Sequence, residues 1–174
     1  MDAMSRDALI STLLATALIA TMCPALAAPP RVAPPVLTSI YPADAAAIEK
    51  LPQTRIQLAV RLNRSGYLYC FLQDEKRQVL RVYPNRFATK AWVDASAPVL
   101  LPGNGGFGLI SPARGAVAEL TCVGLSTDTV ASWDHRIKGP DLTPMAVDSL
   151  ADVRFLIGRV SPGVQFTTYL IGAR

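Results

Sequence analysis

Ile56-Gln57-Leu58-Ala59-Val60-Arg61-Leu62-Asn63-Arg64-Ser65-Gly66-Tyr67-Leu68-Tyr69-Cys70-Phe71-Leu72 is the stretch that decides the fold of this 174-residue chain. Ile56, Leu58, Val60 and Leu62 alternate with Gln57, Ala59, Arg61 and Asn63, the period of two expected of a strand with one buried face. Asn63 to Gly66 then supplies turn chemistry. Tyr67 to Leu72 is apolar on both faces, which predicts a central strand. A polar turn from Gln73 to Arg77 leads into Val79-Leu80-Arg81-Val82-Tyr83, so residues 56 to 83 read as three antiparallel strands in a meander.

Working outward, Pro84-Asn85 stops the third strand, and residues 84 to 97 form a long irregular connection that carries Trp92. Val99 to Leu101 is a short strand closed by the turn cluster Pro102-Gly103-Asn104-Gly105-Gly106. Phe107 to Ser111 resumes as strand, Pro112 to Gly115 turns it, and Val117 to Leu125 alternates again with Ala118, Leu120, Cys122 and Gly124 on one face. Ser132 to Pro144 is polar and broken by Gly139-Pro140, a loop. Leu150, Val153 and Phe155 to Ile157 fit one amphipathic helix stopped at Gly158, with a short strand as the competing reading. Gln165 to Ile171 is the last strand. Before the first strand, Asp44 caps a short helix expected to run to Lys50. The pattern predicts a mainly β chain, an immunoglobulin-like antiparallel β-sandwich with one or two short helices, occupying residues 41–174 as a single domain.

The front of the chain has a different character. An apolar run from Ala8 to Met22 follows Arg6 and ends in Pro24-Ala25-Leu26-Ala27, which carries an Ala-x-Ala cleavage box at Ala25 to Ala27. Residues 1–27 are therefore expected to be a cleaved signal peptide. The run ends too early for the roughly 20 apolar residues of a spanning helix, so no transmembrane span is expected after processing. Cys23 offers the rival fate of an acylated lipoprotein, but Met22 stands where a small residue is normally required. Four prolines between residues 28 and 37 extend the chain as a leader, bounded here at residues 28–40. The full sequence holds 17 Lys and Arg against 13 Asp and Glu. Losing Arg6, Asp2 and Asp7 leaves a mature chain near +5, which favours weak attraction to anionic surfaces. Its bases are scattered singly, which excludes a nucleic-acid binder, and the expected location is periplasmic or secreted.

Catalytic equipment is sparse. Once Cys23 leaves with the signal, Cys70 and Cys122 remain, both mid-strand with parities that place them beside Leu68, Leu72 and Leu120. They either form a disulfide, closing a loop of about 50 residues for roughly 4 kcal/mol, or pack as two small hydrophobic thiols. His135 is the single histidine, in Trp133-Asp134-His135-Arg136, and no Gly-x-Ser-x-Gly or Ser-x-x-Lys motif accompanies it. One histidine and two separated cysteines cannot build a zinc tetrad, and Gly103 to Gly108 lacks the lysine and helix of a phosphate cradle, so no metal or cofactor is expected. The candidate binding set is aromatic: Tyr67, Tyr69 and Phe71 recur at spacing two on one strand face, with Tyr83 and Asn85 ending the next strand. Such a stripe either lines a groove or belongs to the core.

The block Ser65-Gly66-Tyr67-Leu68-Tyr69-Cys70-Phe71-Leu72-Gln73, with Tyr83-Pro84-Asn85, Leu101-Pro102-Gly103, Phe107-Gly108-Leu109 and Arg114-Gly115, resembles the family of domain of unknown function 4384 over about residues 50–130. The resemblance implies a β-rich bacterial module, found alone behind a signal peptide or appended to kinase or peptidase domains, with no catalysis of its own. The expected function is an exported, non-catalytic binding or accessory module of the cell envelope. Its partner would be another envelope protein or a cell-wall component. The rival readings are a cell-envelope hydrolase using His135 and a passive outer-membrane lipoprotein anchored at Cys23.

Overall fold

The computed structural model of the protein describes residues 35–43, 54–103 and 107–172. The expected signal peptide, most of the leader and the expected helix from Asp44 to Lys50 lie outside them. The described residues are mainly β, arranged as antiparallel sheets with one α-helix in a sandwich-like stack. No helix among them is long and apolar enough to cross a membrane.

One sheet is built around β4 (Gly66–Gln73), which pairs along its length with β9 (Val117–Leu125). Strand β10 (Phe166–Gly172) extends the sheet beyond β9. On the other side of β4, β5 (Val79–Tyr83) and the short β6 (Trp92–Val93) pair with its two ends. A second sheet sets β3 (Leu58–Leu62) between β1 (Thr38–Pro42) and β7 (Val99–Leu101). A two-stranded ribbon of β2 (Arg55–Ile56) and β8 (Leu109–Ile110) completes the strands.

This topology corrects the expected meander. β3 does not pair with β4, because both of its edges are occupied by β1 and β7. The bend at Asn63 to Ser65 instead carries the chain from one sheet to the other. Asn63 fixes that bend, its side chain accepting from the Leu37 N–H at 2.9 Å and its own N–H donating to the Leu37 carbonyl. The fold also begins earlier than the expected residue 41: Val36 bridges Gly124, and β1 pairs with β3 over its whole length. Pro42 is tolerated because it ends a strand at a sheet edge.

The two faces of β4 bury different cores, as its two-sided apolar sequence requires. Leu68 and Cys70 face the second sheet, joined by Leu58, Val60, Leu62, Leu101, Leu120 and Cys122. Tyr69 and Phe71 face the opposite way, under α1 (Leu150–Val160) and the segment before it. Ser149 caps α1, its hydroxyl accepting from the Asp152 N–H at 3.3 Å. The helix buries Leu150, Val153, Leu156 and Ile157. It runs two residues past the expected stop at Gly158. Arg154 ties the helix to the sheet, donating to Glu119, Thr121 and the Thr168 hydroxyl at 3.1 to 3.3 Å.

The loop expected from Ser132 to Pro144 is ordered. It contains the 3-10 turn His135–Ile137, and another turn, Val130–Ser132, precedes it. Farther along, Leu142 and Met145 donate backbone N–H bonds to the carbonyls of Arg81 and Val79, and Pro144 bridges Leu80, so this segment lies along the outer edge of β5.

Gly66 opens β4 where a side chain has no room. A Cβ there would lie 2.7 Å from the Leu125 carbonyl oxygen, a backbone atom of the neighbouring strand. Gly66→Ala is expected to cost about 1–3 kcal/mol by forcing β4 and β9 apart, read as a lower denaturant midpoint with unchanged slope.

Candidate functional site

The structure does not bring the five candidate binding residues to one surface. Tyr69 and Phe71 are 2% and 0% exposed. What covers them is Trp133, edge-on to Tyr69 at 4.7 Å and tilted against Phe71 at 6.1 Å. The cover comes from the C-terminal segment more than from residues 84 to 97. Tyr83 faces away from this stripe. The β4–β5 register shifts between Cys70 and Phe71, so that Cys70 opposes Tyr83 while Phe71 opposes Arg81. The extra residue, Val82, is a β-bulge that turns Tyr83 into the core between the sheets. There the Tyr83 hydroxyl donates to the Lys90 carbonyl at 2.7 Å.

Asn85 is buried and spent within its own turn. Its Nδ2 donates to the Val82 carbonyl at 2.6 Å, and its Oδ1 accepts the N–H groups of Phe87 and Ala88 at 2.8 and 3.0 Å. This Asx geometry explains why an asparagine follows the proline of Tyr83-Pro84-Asn85.

Tyr67 is the member of the stripe that reaches solvent. It meets Trp92 edge to face, with ring centroids 5.1 Å apart and planes at 76°. Trp92 itself is 53% exposed on the short strand β6. Sequence reasoning placed Trp92 in an irregular connection and missed the pair, because the two-residue strand that presents it carries no periodic signal.

Tyr69 and Tyr83 are the perturbed phenols. Burial, and then the Asp128 carboxylate that its hydroxyl bonds at 2.9 Å, push Tyr69 well above its ordinary 10.0. Burial alone raises Tyr83. A phenol whose folded value is raised holds its proton more tightly when native. That stabilisation is complete below pH 10 and disappears as pH climbs through the folded value. The protein should therefore lose stability above about pH 10. Tyr69→Phe should lie about 1 kcal/mol lower at neutral pH yet lose less on the alkaline limb. Urea melts across that range read both effects, and parallel limbs in the two proteins would refute the assignment to Tyr69.

His135 lies on the surface with its side chain 92% exposed, its Nδ1 3.4 Å from Asp134. Asp134 is committed elsewhere. Arg136 donates to it from Nε, Nη2 and the backbone N–H, and these bonds hold the Asp134 carboxyl down to about 2. Among the described residues no hydroxyl or thiol hydrogen-bonds the His135 ring, so the geometry assembles no activated nucleophile around it. The described residues also hold no cluster of three or more His, Cys, Asp or Glu able to share a metal ion.

Cys70 and Cys122 form a disulfide. They are direct cross-strand partners in the β4–β9 ladder, with Cα atoms 4.1 Å apart and both residues fully buried. The parity read from the sequence thus joins neighbours in one sheet rather than bridging the two sheets.

A sandwich-like β module with a helical cover, a buried aromatic stripe and one exposed aromatic pair is the class of protein that these features define. Residues 52–116 match the family described as domain of unknown function (DUF4384). No curated protein and no solved structure matches the chain. The match runs from just before β2 to the residue before β9. The strand that holds Cys122 and the layer that buries Tyr69 and Phe71 therefore lie beyond it.

Proposed function

We propose that this protein is an exported, non-catalytic binding or accessory module of the bacterial cell envelope, contacting an envelope protein or cell-wall component through Tyr67 and Trp92. The observation that carries the contact is Trp92, a large aromatic left 53% exposed and set edge to face against a half-buried Tyr67. Tryptophan and tyrosine supply rigid apolar area with a polar tip, and they are over-represented among the residues that dominate binding. The apolar run before Ala25-Leu26-Ala27 and the disulfide support export, since oxidising compartments preserve such bonds.

The test has two arms on protein made from the full gene in a bacterial host. Intact mass of the envelope fraction should show loss of residues 1–27 and an oxidised cysteine pair. Sedimentation with purified cell-wall sacculi, or capture of envelope proteins, should weaken about tenfold in Trp92→Ala. An unprocessed chain in the cytosol refutes export, and equal binding by Trp92→Ala refutes the contact.

A further inference from the structure

At the end of β5, Arg81, Pro84, Asn85, Arg86, Thr89 and Asp141 line a cleft of about 220 Å³. Its walls are fixed before anything enters. Asn85 locks the turn on one side. Arg86 latches that turn to the loop opposite, its backbone N–H and Nε reaching the Asp141 carboxylate at 2.8 and 3.2 Å and its Nη2 the Asp141 carbonyl at 3.1 Å. Arg86 and Asp141 thereby offset one another, and these bonds hold the Asp141 carboxyl below its usual range.

Arg81 is left over. Its guanidinium makes no ion pair or hydrogen bond among the described residues, and its Nε is buried without an acceptor. Buried donors without partners are rare in native folds, and each asks for an explanation. The planar fork of arginine matches carboxylate and phosphate oxygens. Thr89, an exposed residue of the lining, adds a hydroxyl. Leu142, beside Asp141, holds φ at +57°, a conformation uncommon for a bulky side chain and recurrent at ligand clamps. The volume falls below the roughly 300–1,000 Å³ of pockets that enclose a whole small molecule. It suits one charged group.

The geometry points to a binding site for a single oxyanion group, a carboxylate or phosphate, held by Arg81. This cleft shares no lining residue with the Tyr67–Trp92 pair and does not depend on where the protein resides. Titration of the purified protein with sodium phosphate and with sodium acetate, at constant ionic strength and followed by amide NMR, should give saturable shifts at Arg81, Arg86 and Leu142. Arg81→Gln should weaken saturation about tenfold or more, and Arg81→Lys, which keeps charge but not the fork, should also weaken it. Arg159→Gln, on α1 and outside the cleft lining, should titrate like the parent. Circular dichroism of each variant shows that the fold is intact.

Co-sedimentation with phosphatidylcholine vesicles containing 25% phosphatidylglycerol then separates the sources. Arg81-dependent pelleting assigns a lipid headgroup, whereas phosphate or acetate saturation without pelleting assigns a free or polymer-borne anion. Linear drift with both salts and no Arg81-dependent pelleting would overturn the site, as would saturation by the glutamine and lysine variants equal to that of the parent.

Discussion

Trp133→Ala is expected to cost about 3–5 kcal/mol, the range for truncating a large buried aromatic. Trp133 is 3% exposed and fills the space between the turns before α1 and the aromatic face of β4. It touches Tyr69 and Phe71 at once, and its Nε1 donates to the Thr129 hydroxyl at 3.0 Å. That hydroxyl in turn meets Ser161 at the end of α1, 3.0 Å away. Losing the indole therefore opens a cavity and unfastens both ends of the cover. For a domain of this size the melting temperature should fall by about 6–20 °C, with hydrogen exchange rising first in α1. Trp92→Ala, which removes an exposed ring, should change stability by no more than about 0.5 kcal/mol. Equal melting temperatures for the two alanine variants would contradict this division of roles.

Breaking the Cys70–Cys122 bond should have an effect of similar size. The cysteines are 52 residues apart, and on chain-entropy grounds releasing a loop of that length costs about 4 kcal/mol. A Cys70→Ala, Cys122→Ala double variant should melt about 8–16 °C lower. Its secondary structure should survive, because the β4–β9 ladder continues on both sides of the bridge. A variant that melts within 2 °C or so of the parent would show that the bridge constrains little.

Much of the architecture was legible in the sequence. Period-two alternation located β3 and β9, because a strand with one buried face must alternate, and an apolar run on both faces located the central β4. Parity placed Cys70 and Cys122 on the same face. Leu150, Val153 and Phe155 to Ile157 pointed to α1, with a short strand as the competing reading, and the structure decides for the helix. Strand partners were not legible: alternation states which face of β3 is buried but not that β1 and β7 occupy its edges. β1 was hidden by the prolines around it, and the cover before α1 by the wide spacing of Trp133, Ile137 and Met145, which share no period.

The candidate site was less legible than the fold. The stripe of Tyr67, Tyr69 and Phe71 was visible, but what covers two of its members depends on residues some 60 positions away. Tyr83 was misassigned to the same surface because the bulge at Val82, invisible in the sequence, reverses its face. The isolation of Arg81 exists only in three dimensions, where the nearby carboxylate of Asp141 is already taken by Arg86.

The segment laid along β5 has a consequence for how the molecule behaves in company. A bare sheet border is a template on which foreign chains polymerise, and β5 would be one if its outer carbonyls and amides were open. Residues 142 to 145 use that side, and Pro144 at the bridge has no N–H with which to pass the ladder outward. Concentrated solutions of this protein therefore have no growth point for fibrils on that flank.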